Sequence, residues 1–336
     1  MSPHTPTNYT VSHGSLSDTL LAERWEFLRA HSPQRSPFSS APFATGMREF
    51  AGYDNRVFIV SDAQQDIAGI LTYTQRKGPF LIATVPPFTS FSSLLTTRPL
   101  QTVATSEAGT PYALLLHKLR EQFDHVLLHH HPTLKDVRLF QWTSWKATPL
   151  YTFHIDLTDA AQLESNWSTS TKRTFKKHAS TYSFQEDASA LQSVINLAQA
   201  SYGRHGRPLP LPAEQLTGLV SQLQEAGMVR IFTITSDSSH TPTAGLALLH
   251  DQEVAYYWLA GSVPGHSMTV LLGHLFPLLA SEGIRLFDFV GANTPYIAEF
   301  KRRFGPELVP YYATQSSPSK SFASLQSLKR ALRSWR

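Results

Sequence analysis

Two stretches of the chain alternate apolar and polar residues in the same way. RVFIVSDAQQDIAGILTY (56–73) and VRIFTITSDSSHTPTAGLALL (229–249) each run with a period of two, break at a polar turn containing Ser-Asp, and resume with Ala-Gly opening a second apolar run. The matching residues are Ser61, Asp62, Ala68 and Gly69 in the first copy, and Ser236, Asp237, Ala244 and Gly245 in the second. Period-two runs on either side of a polar turn predict β-hairpins. Each hairpin is followed later by a helical pattern and a short apolar strand. In the first half these are YALLLHKLREQF (112–123) and HVLLH (125–129); in the second, MTVLLGHLFPLLASEG (268–283) and IRLFDFV (284–290). Hairpin, helix, strand, repeated once, predicts two similar α/β domains in tandem. Further helices are expected over 16–31, near 188–202 and over 213–226, and a strand over 151–157. Thr158 is expected to cap a helix running through AAQLESNWSTSTKRTFKKHA, with Leu163 and Trp167 facing inward. Residues 1–16 are polar and expected to be flexible.

Composition narrows the class. The chain has 336 residues, 41% hydrophobic and 16% charged, which is the balance of a core-forming protein long enough for two domains. It has no cysteine, so disulfides, thiolate metal sites and cysteine nucleophiles are excluded. The longest apolar run, VLLGHLFPLLA (270–280), is too short to span a bilayer, and no basic-then-apolar leader precedes Arg24, the first cation. The expectation is a soluble cytoplasmic protein. The net charge of +4 is unevenly spread. Residues 1–155 hold 13 basic and 11 acidic groups, 156–315 hold 11 and 14, and 316–336 hold 5 and none. Within the acidic middle block, seven of the eleven cations fall in two clusters: Lys172, Arg173, Lys176, Lys177, and Lys301, Arg302, Arg303. Clustering against an opposing background marks places where an anion can be held.

Several segments carry candidate chemistry, each with a plain structural alternative. In KRTFKK (172–177), Arg173, Lys176 and Lys177 share a helical face suited to phosphate. A solvated basic helix end gives the same pattern. In FDFVGAN (287–293), Asp288 sits in an apolar strand and requires a partner. It either orients or deprotonates an attacking amine, or makes a structural hydrogen bond to the loop permitted by Gly291 and Asn293. Tyr256, Tyr257 and Trp258 share one strand, so Tyr257 faces opposite to its neighbours. A tyrosine hydroxyl on the cleft side can protonate a leaving group or hold an acyl carbonyl. FKRRFG (300–305) places Phe300 and Phe304 on one face, with Gly305 as a helix stop. GHSMT (265–269) approximates a serine-hydrolase elbow, but its fifth residue is Thr269 and Pro264 and Gly265 separate it from the strand. Ser267 is expected to cap the following helix. The HHHP segment (129–132) lacks an acidic or sulfur partner at ligand spacing, and no metal site is expected. The last segment, 319–336, puts Phe322, Leu325, Leu328, Leu332 and Trp335 on one helical stripe with cations elsewhere. That pattern fits an anionic membrane, RNA, or packing back on the protein.

Taken in order, YTFHIDL with KRTFKKHAS, AYYWLAGS before a long helix, and IRLFDFVGANTPYIAEFKRRFGPELVPYY resemble the Fem-type peptidoglycan-bridge aminoacyltransferases and their relatives in the GNAT acyltransferase superfamily. PPFTSF (86–91) and FQWTSWKATPLYTFHIDL (140–157) resemble the first domain of bacterial relatives of unknown substrate. The resemblance runs over roughly residues 18–315. It implies an α/β (α+β) fold of two tandem GNAT-like domains, each a mixed, mainly antiparallel sheet flanked by helices. The expected boundaries are 17–155 and 156–315, with 316–336 a basic amphipathic tail. It implies an acyltransferase moving an acyl or aminoacyl group from acyl-CoA or aminoacyl-tRNA to an amine, in cell-envelope or glycan biosynthesis. No permanently bound cofactor is implied. Backbone N–H groups at a bulged or splayed strand are expected to hold the oxyanion. Asp288 and Tyr257 are the expected catalytic groups. Lys301, Arg173, Lys176, Lys177, Asn293 and Phe300 are the expected substrate-binding groups, Lys301 because the family's F-K-x-x-F-G lysine lines the substrate cavity. The expected partners are a small-molecule or glycan-precursor acceptor, tRNA, and a membrane surface met through 319–336 at its inner face. The chain departs from the bridge enzymes in having no lysine in SSAPFATGM (39–47). It also lacks the glycine-rich pyrophosphate loop of coenzyme A acetyltransferases in GSVPGHSM (261–268). A serine hydrolase using GHSMT and a non-catalytic binding protein are the alternatives.

Overall fold

Both predicted hairpins form. The computed structural model describes residues 8–91, 94–97 and 110–334. In chain order the first elements are β1 (Thr10–Gly14), α1 (Thr19–His31), α2 (Ala41–Ala51), β2 (Asp54–Ser61), β3 (Asp66–Lys77), β4 (Phe80–Thr84), β5 (Leu94–Thr96), α3 (Thr110–Gln122), β6 (His125–His129), α4 (Arg138–Trp142) and β7 (Lys146–Asp156). There follow α5 (Ala160–Leu163), α6 (Thr169–His178), β8 (Tyr182–Glu186), α7 (Leu191–Arg204), α8 (Ala213–Glu225), β9 (Val229–Ser236), β10 (Ala244–His250) and β11 (Val254–Ser262). The chain closes with α9 (Ser267–Ser281), β12 (Leu286–Asp288), α10 (Pro295–Arg302), β13 (Glu307–Ser316) and α11 (Lys320–Ser334).

The chain divides into two units, and each repeats one plan. In the first, the strand order is β1-β2-β3-β4-β6-β13, antiparallel throughout except that β4 and β6 run parallel. In the second, the order is β8-β9-β10-β11-β12-β7, again with a single parallel pair, β11 and β12. Two helices stand between the first and second strands of each unit, and one helix crosses over between the parallel pair. The duplication seen in the hairpins therefore extends to the strand order, the helix pair and the crossover helix. The sixth strand is the exception in chain order. The first unit takes β13, which pairs with β6 through Ala313–Ser316, and the second takes β7, which pairs with β12 through His154–Asp156.

The repeated Ala-Gly has a packing cause. A Cβ on Gly69 would lie 3.0 Å from the Trp25 ring and 3.1 Å from Leu28, both on α1, and a Cβ on Gly245 would lie 2.7 Å from Val194 on α7. In each unit the glycine lets the first helix settle against the sheet. Gly261, opposite Gly245 on β11, sits under the α7 backbone itself, with a Cβ position 2.2 Å from the Leu197 carbonyl carbon. On the other face of the second sheet lies an apolar core that includes Phe276 and Leu275 of α9, Phe287, Phe289 and Phe304.

Four expectations are corrected. Residues 10–14, expected to be flexible, form β1, which supplies ladder partners to β2 from Thr10↔Ser61 to Gly14↔Val57 and so covers that edge. Residues 1–7 lie outside the described residues. The single helix expected after Thr158 is broken into α5 and α6. Thr158 turns its amide onto Asp156 Oδ1 at 2.8 Å, and Ser168 is the real cap of α6, accepting from the Thr171 amide. Ser267 is the first residue of α9 rather than its cap. The boundaries fall at 149/150 and 310/311, and the tail belongs to the first unit. The reason is the strand pairing given above, together with Phe322, which is buried against His125 and Phe80 at ring separations of 5.3 and 5.2 Å. Among the described residues no helix is long and apolar enough to cross a membrane.

Replacing Gly261 by alanine forces its methyl group into the α7 backbone. The expected loss is about 1–3 kcal/mol of unfolding free energy, read from the urea midpoint at unchanged slope.

Candidate functional site

The site is defined by a strand that stops. β12 pairs with β11 over three residues only, Val254↔Leu286, Ala255↔Phe287 and Tyr256↔Asp288, whereas the sequence pattern predicts a strand from 284 to 290. Beyond Tyr256 and Asp288 the two parallel strands part, while β11 runs on to Ser262 beside β10. On its β10 side, β11 carries a bulge: Ala247 pairs with Leu259 and Leu248 with Tyr257, so Trp258 is the extra residue. The bulge interrupts the β10–β11 ladder next to the parting of the strands.

The backbone that β12 gives up is held by side chains. Val290 takes φ 56°, which is costly for a β-branched residue, and Gly291 takes φ 97°. The Val290 amide donates to Asp288 Oδ1 at 2.7 Å, and the Gly291 amide donates to the Thr152 hydroxyl oxygen at 2.9 Å. Lys301 reaches back from α10 and donates to the carbonyls of Phe289 at 2.6 Å and Gly291 at 2.8 Å. The Asn293 amide group clasps both main-chain groups of Tyr151, at 3.0 Å each. Lys301 is 4% exposed, its ammonium 5.5 Å from the Tyr257 ring centre and 5.8 Å from that of Phe289. Burial lowers its pKa from the ordinary 10.5 to about 8, and the negative charge of Asp288 works in the opposite direction.

Asp288 is 2% exposed and surrounded by donors. Besides the Val290 amide it accepts from the Thr152 hydroxyl at 2.5 Å on Oδ1, and its Oδ2 lies 3.2 Å from His154 Nε2. Strand alternation puts Asp288, His154 and Tyr256 on the sheet face that carries α7, and Tyr257, Phe287 and Ile155 on the face that carries α9. The two expected catalytic groups, Asp288 and Tyr257, therefore stand on opposite faces, one on each side of the parting strands. Burial raises the Tyr257 phenol. Phe300 packs on the core beside Phe304, and Gly305 ends the segment with φ 70°. Arg302 and Arg303 pair with Glu299 at the surface.

The second basic cluster stands apart from these groups. Arg173, Lys176 and Lys177 occupy the exposed side of α6, whose inner side places Phe175 against α9; Lys176 lies 3.4 Å from Glu164. Among the described residues none of the three bonds to Asp288 or Lys301. Ser267 is buried and donates to the Thr243 carbonyl at 3.1 Å, which leaves the hydrolase reading without an accessible nucleophile. His129 and His130 are held neutral by burial, lowered to about 4 and about 3, and no group of ligating side chains able to hold a metal ion occurs among the described residues. Sequence reasoning missed His154 and Thr152. Their signal was present: in YTFHIDL the polar residues Thr152, His154 and Asp156 alternate with Phe153, Ile155 and Leu157, so one face of the last part of β7 is polar.

Residues 165–302 match the family model described as an acetyltransferase (GNAT) domain. No curated protein matches the chain. Among solved structures, that of FemX is similar with a TM-score of 0.67 and 10% identity, over 90% of this chain and 96% of its own. L-PGS from Bacillus licheniformis is similar at 0.56 and 12% identity, over 94% and 97%. A tandem GNAT protein from the clavulanic acid biosynthesis pathway is similar at 0.55 and 12% identity, over 93% and 99%. The fold is thus the tandem GNAT fold, and the second unit carries a GNAT acetyltransferase domain.

The depressed pKa of Lys301 has a stability consequence. The unfolded chain keeps that proton up to the ordinary lysine range, and the folded chain releases it near pH 8. Unfolding therefore takes up a proton between about pH 8 and 10.5, and the Lys301 contribution makes the fold more stable as pH rises through that window, on the order of 1 kcal/mol per pH unit. Lys301→Met is expected to remove this slope. It also strands two carbonyls, lowering stability at pH 9 by about 1–3 kcal/mol. Urea titrations of both proteins from pH 7 to 10 read the difference.

Proposed function

We propose that this protein transfers an acyl or aminoacyl group from an activated, phosphate-bearing donor to an amine. The observation that carries the reading is the parting of β11 and β12 beside the bulge at Trp258, within the matched GNAT domain. The donor carbonyl lies in the opening, with the backbone of β11 beyond Tyr256 supplying N–H groups to the tetrahedral oxyanion. Lys301 adds positive charge at the same point and steadies the 289–291 turn on which the opening depends. The cations Arg173, Lys176 and Lys177 on α6 meet donor phosphates from outside this network. Asn293 serves by pinning the loop to Tyr151, since both ends of its amide are engaged there. Acyl-CoA and aminoacyl-tRNA are the two donor classes, and likeness to FemX and L-PGS supports an acceptor in cell-envelope or glycan synthesis.

The test is a donor screen. Purified protein is incubated with pools of acyl-CoA and aminoacyl-tRNA and a mixture of primary amines, and products are read by mass spectrometry. Transfer from one pool is expected. If the donor is aminoacyl-tRNA, binding weakens steeply with salt. Binding of either donor without any turnover identifies a non-catalytic binding protein, and no transfer to any amine overturns the reading.

The basic tail is proposed to meet an anionic membrane surface. Phe322 docks the start of α11, while Leu325 and Leu328 are 42% and 60% exposed, and residues 316–336 carry five cations and no acid. Trp335 lies outside the described residues. The double variant Leu325→Asp, Leu328→Asp leaves the buried contact intact. It is expected to lose sedimentation with phosphatidylglycerol vesicles that the parent protein shows; equal sedimentation, or none by the parent, ends the proposal.

A further inference from the structure

Amine attack on an acyl carbon requires a group that takes the nitrogen's proton, and Asp288 is poorly placed for that task. Its Oδ1 already accepts from the Thr152 hydroxyl and the Val290 amide, and only 2% of the residue is exposed. The remaining oxygen faces His154. An ionised carboxylate can only accept, so the hydrogen in the 3.2 Å contact belongs to His154 Nε2. A neutral imidazole with its hydrogen on Nε2 has its lone pair on Nδ1. The ring thus presents an acceptor nitrogen, with the tautomer set by a buried carboxylate. This is the orienting logic of base and carboxylate pairs generally.

The location fits the chemistry. His154 is opposite Asp288, the last β12 residue paired before the strands part, and its side chain is 15% exposed where that of Asp288 is 3%.

Resting on the transfer reading above, we propose that His154 is the residue that deprotonates the neutral acceptor amine at this strand end, with Asp288 as its positioning residue. The amine nitrogen forms its bond to the donor carbonyl carbon as its proton passes to His154 Nδ1. The bond from that carbon to the donor's sulfur or ester oxygen then breaks, and the proton leaves with that atom as thiol or hydroxyl. The groups facing His154 are Asp288 and Tyr256 on its own sheet face and Asp156 two residues along β7. The Lys301 ammonium lies across the sheet and acts on Asp288.

Two measurements test this independently. In the first, transfer to a supplied primary amine is followed from pH 5.5 to 9 with the donor found in the screen. His154→Gln is expected to lower kcat/KM about 100-fold or more and to abolish the fall in rate on the acid side, with the urea midpoint little changed. Asp288→Asn is expected to shift that acid limb rather than abolish it. A His154→Gln enzyme that keeps the parental rate and acid limb overturns the proposal while leaving the transfer reading standing. The second measurement needs no turnover: ¹⁵N spectra of histidine-labelled parent protein, assigned by the His154→Gln variant, with glycinamide as the probe amine. A hydrogen on Nε2, and a His154 signal that moves on adding glycinamide, support it. A hydrogen on Nδ1, or a signal indifferent to glycinamide, overturns it even if the first measurement finds no donor.

Discussion

A strand that ends inside a sheet leaves backbone N–H and C=O groups with no ladder to join, and in a buried place each of them needs another partner. The site of this protein rests on that constraint. When β12 stops at Asp288, the amides of Val290 and Gly291 go to Asp288 and Thr152, and the carbonyls of Phe289 and Gly291 go to Lys301. The opening between β11 and β12 exists because these side chains do the work of a strand. The strained φ of Val290 is tolerated for the same reason: four hydrogen bonds across three consecutive residues over-determine the turn.

This arrangement also explains why the charged groups here are buried. An ammonium with no carboxylate bonded to it is an expensive thing to remove from water, and the lowered pKa of Lys301 records that cost. Two carbonyl oxygens and two aromatic rings offset part of it, and the Asp288 charge offsets more. Asp288 and Lys301 are thus coupled through the strand end they share without touching. The coupling crosses the sheet, Asp288 on the α7 face and the Lys301 ammonium near Tyr257 on the other, so the two faces of the opening are electrically linked.

Most of the architecture was legible. Period-two runs placed β2, β3, β9 and β10, and period-3.6 runs placed α3, α7, α8 and α9, because these elements bury one continuous apolar side. The repeated Ala-Gly was legible as a signature, and the helix seated on each glycine supplies its cause. The site was legible in its residues but not in their relations. Asp288 stood out as a charge in an apolar strand and Lys301 as one of a cluster of cations in a motif resembling the family's, yet nothing local to 284–290 announces that the strand stops after three residues. That depends on Lys301 and Thr152, the latter 136 positions from Asp288. His154 was missed because a histidine in a strand reads as ordinary until the carboxylate opposite is known. The break between α5 and α6 was missed for a similar reason: the Ser168 amide is taken by the Arg303 carbonyl, a partner far along the chain.

The exchange of sixth strands carries a consequence for how the chain is made. The edge of β6 is covered by β13, and the bond between His130 and Thr314 spans 184 positions. Emerging from the ribosome, the first unit has five of its six strands while the whole of the second is still to be synthesised. Until then β6 offers a bare row of backbone groups, the kind of edge that recruits other chains. Closing so long a loop is slow compared with hairpin formation. The first unit is therefore the earlier to begin folding and the later to finish, and a ribosome stalled anywhere in the second unit holds an unfinished, adhesive first one.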